Sequence, residues 1–197
     1  MTGRVAAILL AAGKSRRMGS CKQLLPLGRS TVIECYLETL FAAGVNEIVV
    51  VVSPEGDTVA EAVRRYPAAI AVNPLMDGDM ASSVRIGREA LSPEASGVII
   101  ALCDYTLVLP DTVTSLVAGH AGAPGSIFIP CHEGRRGHPL LFPRAALNEL
   151  AEGLILRDLV RRDPDRVVQL DVADDGILVD MDTPEDYRRV REMALQR

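Results

Sequence analysis

Five short aliphatic runs, separated by stretches with helical spacing, constrain this chain more than any other feature. Val5–Leu10, Glu47–Val52, Ala69–Val72, Gly97–Leu102 and Ser126–Pro130 are built mostly from Val, Ile, Leu and Ala. A strand with one solvated face alternates apolar and polar residues, so near-continuous runs predict strands buried on both faces. Helical patterns fall at Thr31–Ala43, Thr58–Arg65, Met80–Leu91 and Asp111–Gly119. This alternation predicts an α/β fold, a mostly parallel sheet between layers of helices. After residue 130 the pattern loosens. A strand at His138–Phe142, short helices at Arg144–Ala151 and Arg157–Arg162, and late strands at Val167–Val172 and Ile177–Met181 are expected. The closing helix, Pro184–Leu195, opens on Thr183-Pro184-Glu185-Asp186, which supplies a capping hydroxyl, a first-turn proline and acids at the positive end of the dipole.

At 197 residues, with no repeat or linker, the chain is expected to form one domain over 1–197. With 21 basic and 26 acidic residues its net charge is −5, which argues against nucleic acid or an anionic membrane as partner. The apolar run Val5–Ala12 is too short to span a bilayer. It also lacks the form of a signal peptide, because Lys14, Arg16 and Arg17 follow it instead of preceding it. Cys21, Cys35, Cys103 and Cys131 are irregularly spaced, so reduced thiols in a cytoplasmic protein are expected.

The stretch from Leu10 to Gly19 carries the strongest chemical signal. A buried strand runs into Ala11, Ala12 and Gly13, then into Lys14, Arg16 and Arg17. Small residues let backbone approach a ligand, successive N–H groups can cradle an anion, and three neighbouring cations are relieved by a polyphosphate. A P-loop is excluded, since its first glycine would fall on Ile8, and no G-x-G-x-x-G dinucleotide fingerprint is present here. An exposed basic loop without ligand fits the same composition.

Leu10-Ala11-Ala12-Gly13-Lys14-Ser15-Arg16-Arg17-Met18-Gly19, followed by Lys22-Gln23-Leu24-Leu25-Pro26-Leu27-Gly28, resembles the signature of the MobA-like nucleoside triphosphate transferases. The Ala-Ala-Gly form is similar to that of the molybdenum cofactor cytidylyltransferases. Further matches keep the family's order: Asn73-Pro74, Gly78 to Gly87, Ala101-Leu102-Cys103-Asp104, Gly137-His138-Pro139, and Asp180 to Asp186. The resemblance implies a Rossmann-like three-layer fold, with acceptor-side elements roughly over 131–165. It implies Mg²⁺-dependent transfer of CMP from CTP to a molybdopterin-type acceptor with release of pyrophosphate, and a recipient molybdoenzyme or its maturation factor as partner.

Residue by residue, the resemblance gives the triphosphate loop to Leu10, Ala11, Ala12, Gly13 and Arg17, and the α-phosphate contact to Lys22. Fixed cations there offset the negative charge that develops during in-line attack. Asp104 ends a central strand, where ligands of open α/β sheets gather, and matches the family's metal-binding aspartate. Asp182 is the candidate second metal ligand. On the expected strand it shares a face with Asp180, an arrangement that also fits two solvated acids before a helix cap. Asn73, Ser82 and Ser83 match positions around base and ribose, though hydroxyls at a helix start are also ordinary caps. His138 matches the acceptor side, where Arg135 and Arg136 offer charge to an anionic acceptor. Cys131, His132 and His138 fit no standard zinc spacing.

The chain departs from the family beside Asp104. Cys103, Tyr105 and Thr106 stand where a glycine, an apolar residue and a proline are common. Two groups of alternatives therefore stand beside cytidylyl transfer. One is transfer of a guanine nucleotide, or transfer to a sugar or polyol phosphate, on the same fold. The other is a non-catalytic nucleotide- or pterin-binding carrier.

Overall fold

The computed structural model describes residues 4–75, 78–150 and 153–196. In chain order these form β1 (Arg4–Leu10), β2 (Pro26–Leu27), β3 (Ser30–Thr31), α1 (Val32–Ala42), β4 (Ile48–Val52), α2 (Asp57–Val63), β5 (Ala69–Val72), α3 (Met80–Ala90) and β6 (Ala95–Leu102). They continue as α4 (Pro110–Gly122), β7 (Ile127–His132), β8 (Arg135–Arg136), β9 (Leu140–Pro143), α5 (Arg144–Leu147), α6 (Leu156–Arg162), β10 (Val167–Asp171) and α7 (Pro184–Ala194). The main sheet runs β10-β7-β9-β6-β1-β4-β5, with β8 on β7, while β2 and β3 form a separate hairpin.

The continuous apolar runs are central strands because both of their faces are covered. Successive residues of β1 alternate between two cores. Ala7 and Leu9 join Tyr36, Leu37 and Leu40 of α1, Leu116 of α4 and Val190 of α7. Ala6 and Ile8 join Val84 of α3, Leu147 of α5 and Leu159 of α6. Two cores back to back make the expected three layers. Truncating a fully buried member such as Leu37 to Ala costs about 2–5 kcal/mol, through lost transfer energy and the cavity left behind. Helix α3 lies unusually close to the sheet. A Cβ at Gly87 would fall 2.5 Å from Ile8 Cγ2, so glycine is required there.

The parallel pairs β1–β4, β1–β6, β4–β5 and β7–β10 agree with the sequence expectation. Strand β9 does not follow that pattern: it pairs antiparallel with both β6 and β7. The short return from β7 through β8 leaves too few residues for the crossover that a parallel pairing needs.

The strand expected at Ile177–Met181 is replaced by a 3-10 turn at Asp175–Leu178. Asp174 explains the difference. Its buried carboxylate accepts the Gly176 N–H at 3.0 Å, the Leu109 N–H at 2.9 Å and the Thr112 hydroxyl at 2.7 Å. It thus curls its own backbone while binding the start of α4, and Ile177 enters the core as a plug. Asp180 and Asp182 therefore do not share the face of a strand. The expected helix Arg144–Ala151 ends at Leu147, and Ala151 lies outside the described residues. Helix α7 begins as expected: Thr183 accepts from the Asp186 N–H, while Asp186 Oδ2 accepts the Thr183 N–H.

Candidate active site

The parallel strands β1, β4, β5 and β6 present their carboxyl ends along one edge. The chain passes outward from β1 to β4 and β5, then returns to the other side of β1 as β6. Connections diverge between β1 and β6, which opens a crevice above Leu10 and Leu102, paired in register. A cleft of about 210 Å³ lies there, lined by Leu10, Ala12, Gly13, Lys22, Ser83 and Asp104 among others. The basic loop and Asp104 thus meet across the crevice.

Lys22 is the hub. Its side chain is 11% exposed, and its Nζ donates at 2.8 Å to Asp104 Oδ2, at 2.8 Å to Asp182 Oδ1 and at 3.3 Å to the Met181 carbonyl. Arg17 pairs with the other oxygen of Asp182. Burial alone would lower the Lys22 pKa, but Asp104 and Asp182 outweigh it and leave the ammonium above its ordinary value. The hydrogen bond from Lys22 holds the Asp182 carboxyl below the ordinary range, against partial burial and with help from Arg17. Two carboxylates therefore converge on one cation position beside a cationic loop.

Gln23 follows Lys22, is buried, and also lines the cleft. Its Nε2 donates to the carbonyls of Ala11 and Gly13, both at 2.9 Å, and its Oε1 accepts from Ser15 Oγ at 3.3 Å and Cys21 Sγ at 3.2 Å. Ser15 takes a positive φ of 49° and accepts the Lys22 backbone N–H at 3.1 Å. Buried Met18 anchors the outer limb of the loop. The motif that marks Lys22 already contained Gln23, but nothing in the spacing showed that it ties the loop together.

Asn73, Ser82 and Ser83 do come together. Asn73 Nδ2 donates to Ser82 Oγ at 3.0 Å and Ser83 Oγ at 2.9 Å, and its Oδ1 accepts the Leu75 N–H. The helix cap is Asp79, whose carboxylate accepts the Ser82 N–H at 2.7 Å. The serine hydroxyls are thus not the caps of α3, and Ser83 faces the cleft.

His138 lies on a second cavity of about 450 Å³, which shares Met80 with the first and is lined by Ile129, Leu140, Ile155 and Arg136. Its ring packs 4.7 Å from that of Tyr105. Burial lowers its pKa to about 4 despite the nearby Asp104 carboxylate, so the imidazole is neutral at ordinary pH. Tyr105 is pushed up by burial, then by the carboxylates of Asp180, Asp104 and Asp182. Cys103 is buried and Thr106 donates to the Val32 carbonyl at 3.1 Å, so of the three departures beside Asp104 it is Tyr105 that packs on His138. His132 is occupied with the Val172 carbonyl at 2.9 Å, and among the described residues no three His, Cys, Asp or Glu side chains form a metal cluster.

An open α/β sheet whose cationic loop faces a strand-end aspartate across a cleft is suited to a phosphorylated ligand. The model of the MobA-like NTP transferase domain matches residues 7–167, and the chain belongs to this nucleotidyltransferase family. It is 30% identical to nicotine blue oxidoreductase of Paenarthrobacter nicotinovorans, over 94% of this chain and 96% of that one. It is also 30% identical to the molybdenum cofactor guanylyltransferase of Mesorhizobium japonicum, over 78% of this chain and 74% of that one. A solved nucleotidyl transferase from Methanothermobacter thermautotroptrophicus superposes with a TM-score of 0.84 at 25% identity, covering 98% of each chain. No helix among the described residues is long and apolar enough to cross a membrane.

Proposed function

We propose that this protein transfers CMP from CTP to the terminal phosphate of a molybdopterin-type acceptor in a cytoplasm, releasing pyrophosphate. The observation that carries the reading is the meeting of Lys22 with Asp104 and Asp182 beside the Ala11–Arg17 loop. The guanylyltransferase relative supports a pterin acceptor, and the Ala11-Ala12-Gly13 form of the loop favours cytosine.

The chain's own residues account for each requirement of the transfer. The loop and Arg17 hold the β- and γ-phosphates, and Asn73 sets the hydroxyls of Ser82 and Ser83 toward base and ribose. Lys22 follows the α-phosphate, where charge accumulates as the acceptor oxygen attacks in line and the bond to pyrophosphate breaks. No general base is needed, because a phosphate acceptor is already ionised. His138 and Tyr105 wall the acceptor side, and Arg136 supplies it with charge.

Asp104 and Asp182 suit Mg²⁺ by donor type: two hard oxygen donors already share one cation position, and a magnesium site needs few protein carboxylates beside phosphates and water. When bound, Mg²⁺ neutralises phosphate charge. The test is pyrophosphate release and a CMP-linked product from CTP, Mg²⁺ and purified molybdopterin cofactor. Product formation only with GTP, or only with a sugar phosphate, contradicts the assignment of base or acceptor. Nucleotide binding without any transfer favours the carrier.

A further inference from the structure

We infer that Gln23 is the positioning residue that holds the phosphate loop in its anion-receiving shape. The inference rests on the reading of that loop as a triphosphate cradle. The argument is stereochemical. In a planar trans peptide the C=O and N–H of one unit point to opposite sides. Gln23 Nε2 holds the Ala11 and Gly13 carbonyls, each at 2.9 Å. The same two peptide units therefore turn the N–H groups of Ala12 and Lys14 away from Gln23. Backbone N–H groups directed in this way form a concavity for anions. One buried amide thus decides the polarity of the loop's inner surface.

Two further observations agree. Both ends of the Gln23 amide are used, since Oε1 accepts from Ser15 Oγ and Cys21 Sγ, so neither the loop nor its return toward Lys22 can shift without breaking a bond at a buried group. Such an amide is costly to leave unpaired. Gly13 is not demanded by the protein's own packing: a Cβ there would meet only Gln23 Nε2, at an ordinary 4.0 Å. The room above it suits a ligand that approaches the backbone closely.

The test compares wild type with Gln23→Met, which keeps length and neutrality while removing every polar bond. The probes are inorganic tripolyphosphate and CTP, each with Mg²⁺, followed by calorimetry. Preorganisation predicts at least ~10-fold weaker binding of both probes by the variant, a raised KM for CTP and an unchanged KM for the acceptor. Binding of tripolyphosphate within twofold of wild type by a folded variant would overturn the inference. Should the variant not fold, wild-type NMR decides: on adding tripolyphosphate the Ala12 and Lys14 amide signals move while the Gln23 side-chain amide protons stay protected. Release of those protons on binding overturns the inference. Wild-type protein that binds neither probe overturns the triphosphate reading itself, an outcome distinct from a silent Gln23→Met.

Discussion

The Lys22 ammonium lies 2.8 Å from an Asp182 carboxylate oxygen, although 160 positions separate the two residues in the chain. With Asp104 at the same distance on its other side, Lys22 occupies the position where two carboxylates converge. A divalent cation held by Asp104 and Asp182 would have to share or take that position, which would leave Lys22 to follow the α-phosphate of the proposed substrate. The following expectations rest on this exchange.

Replacing Lys22 with Ala removes a cation that matters more in the transition state than in the ground state. At saturating CTP, kcat should fall by at least ~10²-fold, while nucleotide affinity weakens less. The same variant leaves Asp104 facing Asp182, so its thermal midpoint should respond to Mg²⁺ more strongly than that of wild type. Near-normal kcat in Lys22→Ala would remove Lys22 from the chemistry.

Asp104→Asn keeps size and hydrogen bonding but removes the charge. It should abolish turnover, and it should lower the stability of the ligand-free protein, because the largely buried Lys22 ammonium then keeps only Asp182 as a charged partner. Asp182→Asn should retain partial activity that higher Mg²⁺ restores, because Asp182 is held by Arg17 and Lys22 as well as by any metal. Equal losses in the two variants, with no response to Mg²⁺, would refute this ranking.

Base choice is read most simply by ligand-dependent unfolding. In the presence of Mg²⁺, CTP at a hundredfold excess over its Kd should stabilise the native state by about 2.7 kcal/mol. GTP at the same concentration should do far less. Equal shifts would leave no reason to prefer cytosine.

Stability should also carry a signature of His138. Its folded-state pKa, about 4, lies below the ordinary imidazole value of 6.5 because the ring is buried. The neutral ring contributes fully above pH 6.5, and the contribution is lost as pH falls toward 4. Wild type should therefore lose about 3 kcal/mol more than His138→Gln over that window in urea titrations. The lowered Asp182 pKa acts further down, its contribution being present above the ordinary carboxylate range and lost as pH falls through the lowered value. Parallel stability curves for wild type and His138→Gln would show that the imidazole is not buried in solution.

The strands of the sheet were legible because burial on both faces leaves an unbroken aliphatic run, as in Ile48–Val52 and Val98–Leu102. The direction of β9 was not, since four apolar residues look alike in either orientation and only the short link from β7 decides. Ile177–Met181 read as a strand for the same reason, while the cause of its turn, the buried Asp174 carboxylate bound to α4, is a contact between distant segments. In the site, Lys22 and Asp104 stood out by motif and by position at a strand end. Their mutual contact, the bracing amide of Gln23 and the Met181 carbonyl at Lys22 depend on how the loops close over the sheet, and no local pattern encodes them.

The most direct measurement is a crystal structure of the complex with CTP and Mg²⁺. The account predicts the metal with Asp104 in its first or water-mediated shell, Asp182 beside it, and Lys22 Nζ moved from the carboxylates onto an α-phosphate oxygen. A metal with Asp104 outside both shells, or Lys22 still bridging Asp104 and Asp182 beneath bound nucleotide, would contradict it.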